Sequence, residues 1–138
     1  MSVLDHQNVS RREVAIVGSG PGGLAAARYL KAHGFQPVIF EQGDSVGGQW
    51  NVRSPYSGVW PSMVTNTCNL LTCFSDLSHA PGTPVYPSNQ EMLVYLRRYA
   101  QHFGILSCVR YNTRVESVAH DPKTKVEVLI ILRKMHAK

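Results

Sequence analysis

Glycines are concentrated in one short segment near the start of the chain, and a single carboxylate follows at residue 41. Gly18, Gly20 and Gly23 have the spacing G-x-G-x-x-G within "VAIVGSGPGGLAAARYL". The first glycine permits a tight turn, the second lets the backbone approach a pyrophosphate, and the third lets a helix pack closely on a strand. Glu41 is placed where a carboxylate can accept hydrogen bonds from ribose hydroxyls. The pattern predicts a dinucleotide site.

The identity of the acid narrows the choice of dinucleotide. A carboxylate at Glu41 favours a free ribose 2′-hydroxyl, which indicates FAD or NAD over NADP. The helix that opens within the loop would offer free N–H groups and a partial positive charge to the phosphates. The alternative is a glycine-rich turn that only packs.

The segments around these residues predict a right-handed βαβ unit with a parallel sheet. Residues 14–17 and 37–40 are short apolar runs typical of buried strands, and residues 22–33 predict a helix between them. Arg28 and Lys31 are expected to face water, and Gly34 to stop the helix.

A long connection, a second helix and a β-hairpin are predicted to follow. Residues 42–87 are rich in glycine, proline and small polar residues, and their aromatic residues indicate an ordered, packed loop in which Trp60 serves as a packing anchor. Ser88 and Glu91 form a capping box at the start of the second helix. The apolar positions on one face of that helix are Met92, Leu93, Leu96, Tyr99, Ala100 and Phe103. Strands separated by "HDPKTK" end the chain.

Length and composition predict one soluble, globular domain, and with the βαβ pattern we place an α/β domain at 13–138, preceded by a flexible segment at 1–12. The 138 residues are 43% hydrophobic and 17% charged. The net charge of +5 is scattered, which indicates solvated surfaces and no nucleic-acid partner. Three cysteines and six histidines lack metal-ligand spacing, so no metal site is predicted. No apolar run is long enough to span a bilayer, and the expected location is cytoplasmic.

Later motifs make the chain similar to one family. "QGDSVGGQW" places a GGxW element after the acid, and "GVWPSMVTNTCNLLTCFSDL" contains an aromatic residue, then TN, then F-x-D. "VYPSNQEMLVYLRRYAQHFGI" and "YNTRV" follow in order. Over roughly residues 13–128 the chain resembles the flavin-containing monooxygenases, and Baeyer–Villiger monooxygenases share some of these features.

The resemblance implies an FAD-binding, Rossmann-like domain and the residues that contact the cofactor. Asn66 falls where the family has an asparagine beside the flavin ring and the nicotinamide cofactor, and it is the implied catalytic residue. From the sequence alone, an asparagine in such a loop is more often a turn residue, and it is the motif context that favours the catalytic role. The implied cofactor-binding residues are Gly18, Ser19, Gly20, Pro21, Gly22, Gly23, Glu41, Gly48, Gln49, Trp50, Thr65, Asn66, Thr67 and Val115.

The implied activity is NADPH-driven oxygenation of a soft nitrogen or sulfur nucleophile by O2, through a flavin hydroperoxide. The second G-x-G-x-x-G that family members use for NADPH is not found in this chain, which ends at Lys138. We therefore expect an incomplete domain that does not turn over alone and that associates through an exposed apolar sheet edge, with "VLIIL" at 128–132 on such an edge. A non-catalytic dinucleotide-binding module and another FAD-dependent oxidoreductase are the alternatives.

Overall fold

The computed structural model describes residues 12–133 apart from 124 and 125, and the side chains of residues 12–123. The flexible segment predicted at 1–12 therefore lies outside the described residues, apart from Arg12. Within the described part, a three-stranded parallel sheet and a two-stranded hairpin accompany two helices.

The parallel sheet is built around the βαβ unit that the sequence predicts. Strand β1 (Glu13–Val17) leads through helix α1 (Pro21–Ala32) to β2 (Gln36–Phe40), which lies beside it in parallel. The short strand β3 (Val109–Arg110) joins the other side of β2, so the sheet order is β1-β2-β3. The α/β, Rossmann-like fold class is confirmed.

Helix α2 (Asn89–His102) begins with the predicted capping box. The Ser88 hydroxyl accepts from the backbone N–H of Glu91, whose carboxylate accepts from the backbone N–H of Ser88 at 2.7 Å. Tyr95, which is not among the positions predicted for the helix's apolar face, is also buried. The core is formed by α1, α2, β2 and two residues of the connecting segments, and it comprises Leu24, Ala27, Ile39, Val46, Met92, Tyr95, Leu96, Tyr99, Ala100 and Ile105.

The long connection before α2 is irregular but ordered, and Phe74 anchors it. The Phe74 ring lies 4.4 Å from that of Tyr99, centroid to centroid, and its N–H donates to the hydroxyl of Tyr95 at 2.6 Å. That hydroxyl donates in turn to the carbonyl of Leu77. The expectation that Trp60 anchors the loop was wrong, because its side chain is 59% exposed. The Trp60 carbonyl accepts hydrogen bonds from the side-chain amide of Asn89 and from the backbone N–H of Met63.

Arg28 departs from a second expectation, because its side chain is only 27% exposed and is held by other residues. Its Nε lies 3.2 Å from Oδ2 of Asp76, and its guanidinium stands 4.3 Å from the centre of the Phe103 ring. Asp76 belongs to the F-x-D element. Through Asp76 and Phe74 this element attaches the long connection to Arg28 of α1 and to Tyr99 of α2. Lys31 is exposed as expected, and its ammonium donates to the carbonyl of Gly104.

The C-terminal hairpin is confirmed as a separate, antiparallel sheet. Strand β4 (Thr113–Asp121) pairs with β5 (Val126–Arg133), with a register shift between Val115 and Ser117. The "VLIIL" segment lies in β5, so its placement on the edge of the parallel sheet was wrong. Self-association through an outer strand remains a prediction.

Candidate functional site

The glycine loop connects β1 to α1 in the manner that a phosphate-binding turn requires. Gly18 has a positive φ of 89°, and its N–H donates to the carbonyl of Phe40 at 2.9 Å. A Cβ at Gly23 would collide with the carbonyl oxygen of Gly18, which explains why that position must be glycine. Helix α1 has Gly20 as its N-cap, without a capping side chain and without an acid in its first turn. Its N-terminus is therefore suited to an external anion.

Glu41 follows the end of β2 and is 8% exposed. Its Oε2 accepts from the backbone N–H of Ser19 at 2.8 Å and from the Ser19 hydroxyl at 2.6 Å. Its Oε1 accepts from the backbone N–H of Gly43 at 2.7 Å. Neither ion pair recorded within residues 12–123 includes Glu41. A buried carboxylate thus lies directly beside the glycine loop. It is held there by hydrogen bonds and not by an ion pair with any of the described residues.

The GGxW element packs against this loop from the other side. The N–H of Gly47 donates to the carbonyl of Ser19 at 3.0 Å, and a 3₁₀ turn covers Gly48–Trp50. Gly47 and Gly48 both have positive φ, and a Cβ on Gly48 would lie 2.8 Å from the Cα of Gly20. The two glycine motifs, far apart in sequence, therefore meet backbone to backbone.

One cavity of about 400 Å³ opens where these elements meet. Seven of the predicted cofactor-binding residues line it: Gly18, Ser19, Gly20, Glu41, Gly48, Gln49 and Val115. Sequence reasoning missed several polar or aromatic lining residues, including four that lie within the quoted motifs "QGDSVGGQW" and "YNTRV". The missed residues are Gln42, Ser45, Asn51, Ser54, Tyr56, Thr113 and Arg114. Asn51 could have drawn attention, since it is a polar residue one position after the GGxW element, and it is buried.

The remaining predicted residues lie outside this cavity. Pro21, Gly22 and Gly23 form the first turn of α1, and Trp50 is half-buried against the core. Thr65 is buried, and its N–H donates to the carbonyl of Pro87 just before α2. Asn66 and Thr67 are exposed. The structure thus gathers the residues assigned to the phosphates and ribose, and it keeps the TN element at a separate place.

The electrostatic surroundings of Glu41 affect one tyrosine. Burial raises the pKa of Tyr111, the nearby charge of Glu41 raises it further, and Arg97 opposes this effect. Tyr111 is therefore a neutral phenol at physiological pH. Within the described residues, no group of three or more His, Cys, Asp or Glu side chains is arranged to hold a metal ion. No helix among them is long and apolar enough to cross a membrane.

The cavity fits the adenosine and pyrophosphate part of a dinucleotide. A Cβ at Gly20 would meet only the Cα of Gly48 at 3.7 Å, so the space beside this glycine is open toward the cavity. The uncapped helix start suits phosphate, and the adjacent buried carboxylate suits a neutral sugar hydroxyl. A 2′-phosphate would meet the charge of Glu41 instead.

Comparison with known proteins agrees with this geometry. The family model described as "Flavin-binding monooxygenase-like" matches residues 11–128. Flavin-containing monooxygenase 1 of Canis lupus familiaris is 36% identical over 115 residues, which are 80% of this chain and 22% of that protein. The predicted family resemblance is confirmed. The chain spans about a fifth of the length of the curated relatives it matches.

Solved structures show the same architecture. S-allyl-L-cysteine S-oxygenase from Allium sativum superimposes with a TM-score of 0.74 at 26% identity, covering 87% of this chain and 34% of that one. An oxidized steroid monooxygenase bound to NADP gives a TM-score of 0.76 at 25% identity, covering 86% of this chain and 23% of that one. This fold, in its relatives, is part of a larger enzyme.

Proposed function

Because the chain belongs to the flavin-binding monooxygenase-like family, we propose that it is the FAD-binding segment of an FAD- and NADPH-dependent monooxygenase. Its oxygen acceptors are soft nitrogen or sulfur nucleophiles, and the NADPH site lies outside this segment. The resemblance to flavin-containing monooxygenase 1 and to an S-oxygenase supports this acceptor class.

The observation that carries the proposal is the buried carboxylate of Glu41 at the edge of the glycine-loop cavity. Glu41 accepts a hydrogen bond from a ribose hydroxyl, while the uncapped start of α1 at Gly20 binds the pyrophosphate. Gly48 packs against Gly20 and also lines the cavity. Bound FAD, reduced by NADPH, would supply the chemistry that activates O2 and transfers one oxygen atom.

Titration of the purified chain with FAD tests the binding step. We expect saturable binding followed by flavin fluorescence, and competition by ADP that is stronger than competition by ADP carrying a 2′-phosphate. The charge of Glu41, with no counter-ion among the described residues, is the reason for this difference. Equal competition by the two nucleotides, or no flavin binding, would contradict the proposal.

The oxygenation step is tested in a longer protein. In canine flavin-containing monooxygenase 1, the matching part is replaced by residues 11–128 of this chain. NADPH consumption by this exchanged protein is then measured with a sulfide and with a cyclic ketone. We expect consumption coupled to sulfoxide. Ester formation from the ketone would favour the Baeyer–Villiger alternative. Asn66→Ala should lower product formation more than FAD content, whereas the exposed Ser62→Ala should change neither.

A non-catalytic dinucleotide-binding module is the second candidate, and one observation favours it. Asn66 is exposed and does not line the cavity that collects the phosphate and ribose residues. If the segment only binds, the exchanged protein should hold FAD and fail to form product with either substrate. Loss of product and FAD in equal proportion in Asn66→Ala would make this residue structural.

A further inference from the structure

The side chain of Ser19 has a role beyond its place in the glycine loop, because its hydroxyl donates a hydrogen bond to the Glu41 carboxylate. We propose that Ser19 leaves Glu41 a single open acceptor position, on Oε1. The carboxylate can then accept a hydrogen bond from one ribose hydroxyl but not from the 2′- and 3′-hydroxyls together. This inference rests on the proposed function, since it concerns how the same site takes the adenosine ribose. It assigns a specificity role to the Ser19 side chain.

The Glu41 carboxylate offers a limited number of acceptor positions. An ionised carboxylate has two oxygens with about four lone-pair positions and no donor. Oε2 already accepts from two donors of Ser19, its N–H at 2.8 Å and its hydroxyl at 2.6 Å. Oε1 accepts from the N–H of Gly43 at 2.7 Å. One position therefore remains open, and it is on Oε1.

Ser19 borders the cavity, but its hydroxyl is buried and already donates to Oε2 of Glu41. The Ser19 residue has no exposed surface, whereas Glu41 retains 8% exposure at the cavity wall. The short distance to Oε2 is typical of a hydroxyl donating to a charged oxygen, which is a strong bond. A ribose hydroxyl that competed for Oε2 would leave the Ser19 donor buried and unpaired, and this exchange is unfavourable.

Removing the hydroxyl should therefore change selectivity and not only affinity. In Ser19→Ala the backbone N–H of residue 19 still holds Oε2, and Gly43 still holds Oε1. The carboxylate stays in place, but Oε2 gains an open position. Both ribose hydroxyls can then donate, one to each oxygen. A purely structural role for Ser19 would lower affinity for all nucleotides alike.

The experiment measures binding of ADP, 2′-deoxy-ADP and 3′-deoxy-ADP to the full chain by calorimetry. In the wild-type protein we expect one deoxy analogue to bind about ten- to a hundredfold more weakly than ADP, the range for a lost hydrogen bond to a charged group, and the other to match ADP. In Ser19→Ala both analogues should bind more weakly than ADP. Ser107→Ala is the matched control, because its hydroxyl donates to a backbone carbonyl away from the cavity. Ser19→Cys, which keeps the side chain's approximate size with a weaker donor, replaces Ser19→Ala if the latter does not fold.

Each possible result tests a different part of the proposal. Weaker binding of both analogues to the wild-type protein would overturn the single-position inference while leaving FAD binding intact. An unchanged preference for one hydroxyl in the Ser19 variants would remove the Ser19 side chain from the specificity role. Failure of the wild-type chain to bind either ADP or FAD would overturn the proposed function itself, and equal binding of all three nucleotides would overturn the ribose role of Glu41.

Discussion

Gly48 lies directly against Gly20, so closely that a Cβ on Gly48 would stand 2.8 Å from the Cα of Gly20. The first residue belongs to the GGxW element and the second to the phosphate loop. Their contact is strengthened by the neighbouring bond from the N–H of Gly47 to the carbonyl of Ser19. The element after the acid thus supports the shape of the turn that precedes α1, which links two motifs that the sequence presents separately.

Gly48→Ala should disrupt this contact. The new methyl group collides with backbone that cannot move aside, and a φ of 55° is strained for a residue with a side chain. We expect a loss of about 1–3 kcal/mol in the free energy of unfolding, together with weaker FAD binding. Urea denaturation and flavin titration measure the two effects. Gly58→Ala, where a Cβ would make only ordinary contact, should leave both unchanged.

Gly20→Val should separate binding from folding. A Cβ here would meet only Gly48, at an ordinary distance, and φ at this residue is −73°, which any residue can adopt. The side chain instead occupies the space needed by a pyrophosphate, so FAD binding should be lost while the unfolding transition is retained. Gly23→Ala is the contrasting variant, because its methyl group meets the Gly18 carbonyl and should destabilise the fold. Stoichiometric FAD in Gly20→Val would place the phosphates elsewhere.

The sequence predicts this site well where the information is local. Spacing alone brings Gly18, Gly20 and Gly23 into one turn, and the parallel register of β1 and β2 brings Glu41 to the same end of the sheet. The packing of Tyr95 depends instead on the path of the long irregular connection, which no local pattern fixes. Trp60 shows the same limit, since its aromatic character predicts burial but its surroundings leave it exposed.

Arg28 and Asp76 give a third prediction, concerning the anchoring of that connection. Asp76→Ala leaves the guanidinium without its carboxylate and removes the acceptor of the Tyr99 hydroxyl. We expect the free energy of unfolding to fall by about 1–3 kcal/mol, less than for a fully buried pair, because about a quarter of each side chain is exposed. Thermal and urea unfolding measure the loss.

The control for Asp76 is an exposed carboxylate elsewhere in the same connection. Asp44→Ala should change stability little, since Asp44 is exposed. Asp76→Asn should fall between the two, because the amide can still accept from Tyr99 but carries no charge. Equal stability of the Asp76 and Asp44 variants would show that the F-x-D element anchors the connection through Phe74 alone.

Glu91 gives a pH-dependent prediction for the capping box of α2. Hydrogen bonds from the backbone N–H and hydroxyl of Ser88 hold the pKa of Glu91 below its ordinary value in the folded state. A lowered folded-state pKa contributes stability above the unfolded value, and this contribution is lost as the pH falls through the folded pKa. The stability advantage of wild type over Glu91→Gln should therefore be largest at neutral pH and fade as the pH falls below the ordinary pKa of a glutamate and through the lowered pKa of Glu91. Urea denaturation across this pH range measures the stability difference, and Glu13→Gln, at an exposed position, is the control. Both comparisons are made in a His79→Phe background, which removes the titration of the neighbouring imidazole. A difference that does not vary with pH would show that the cap depends on Glu91 as a hydrogen-bond acceptor and not on its charge.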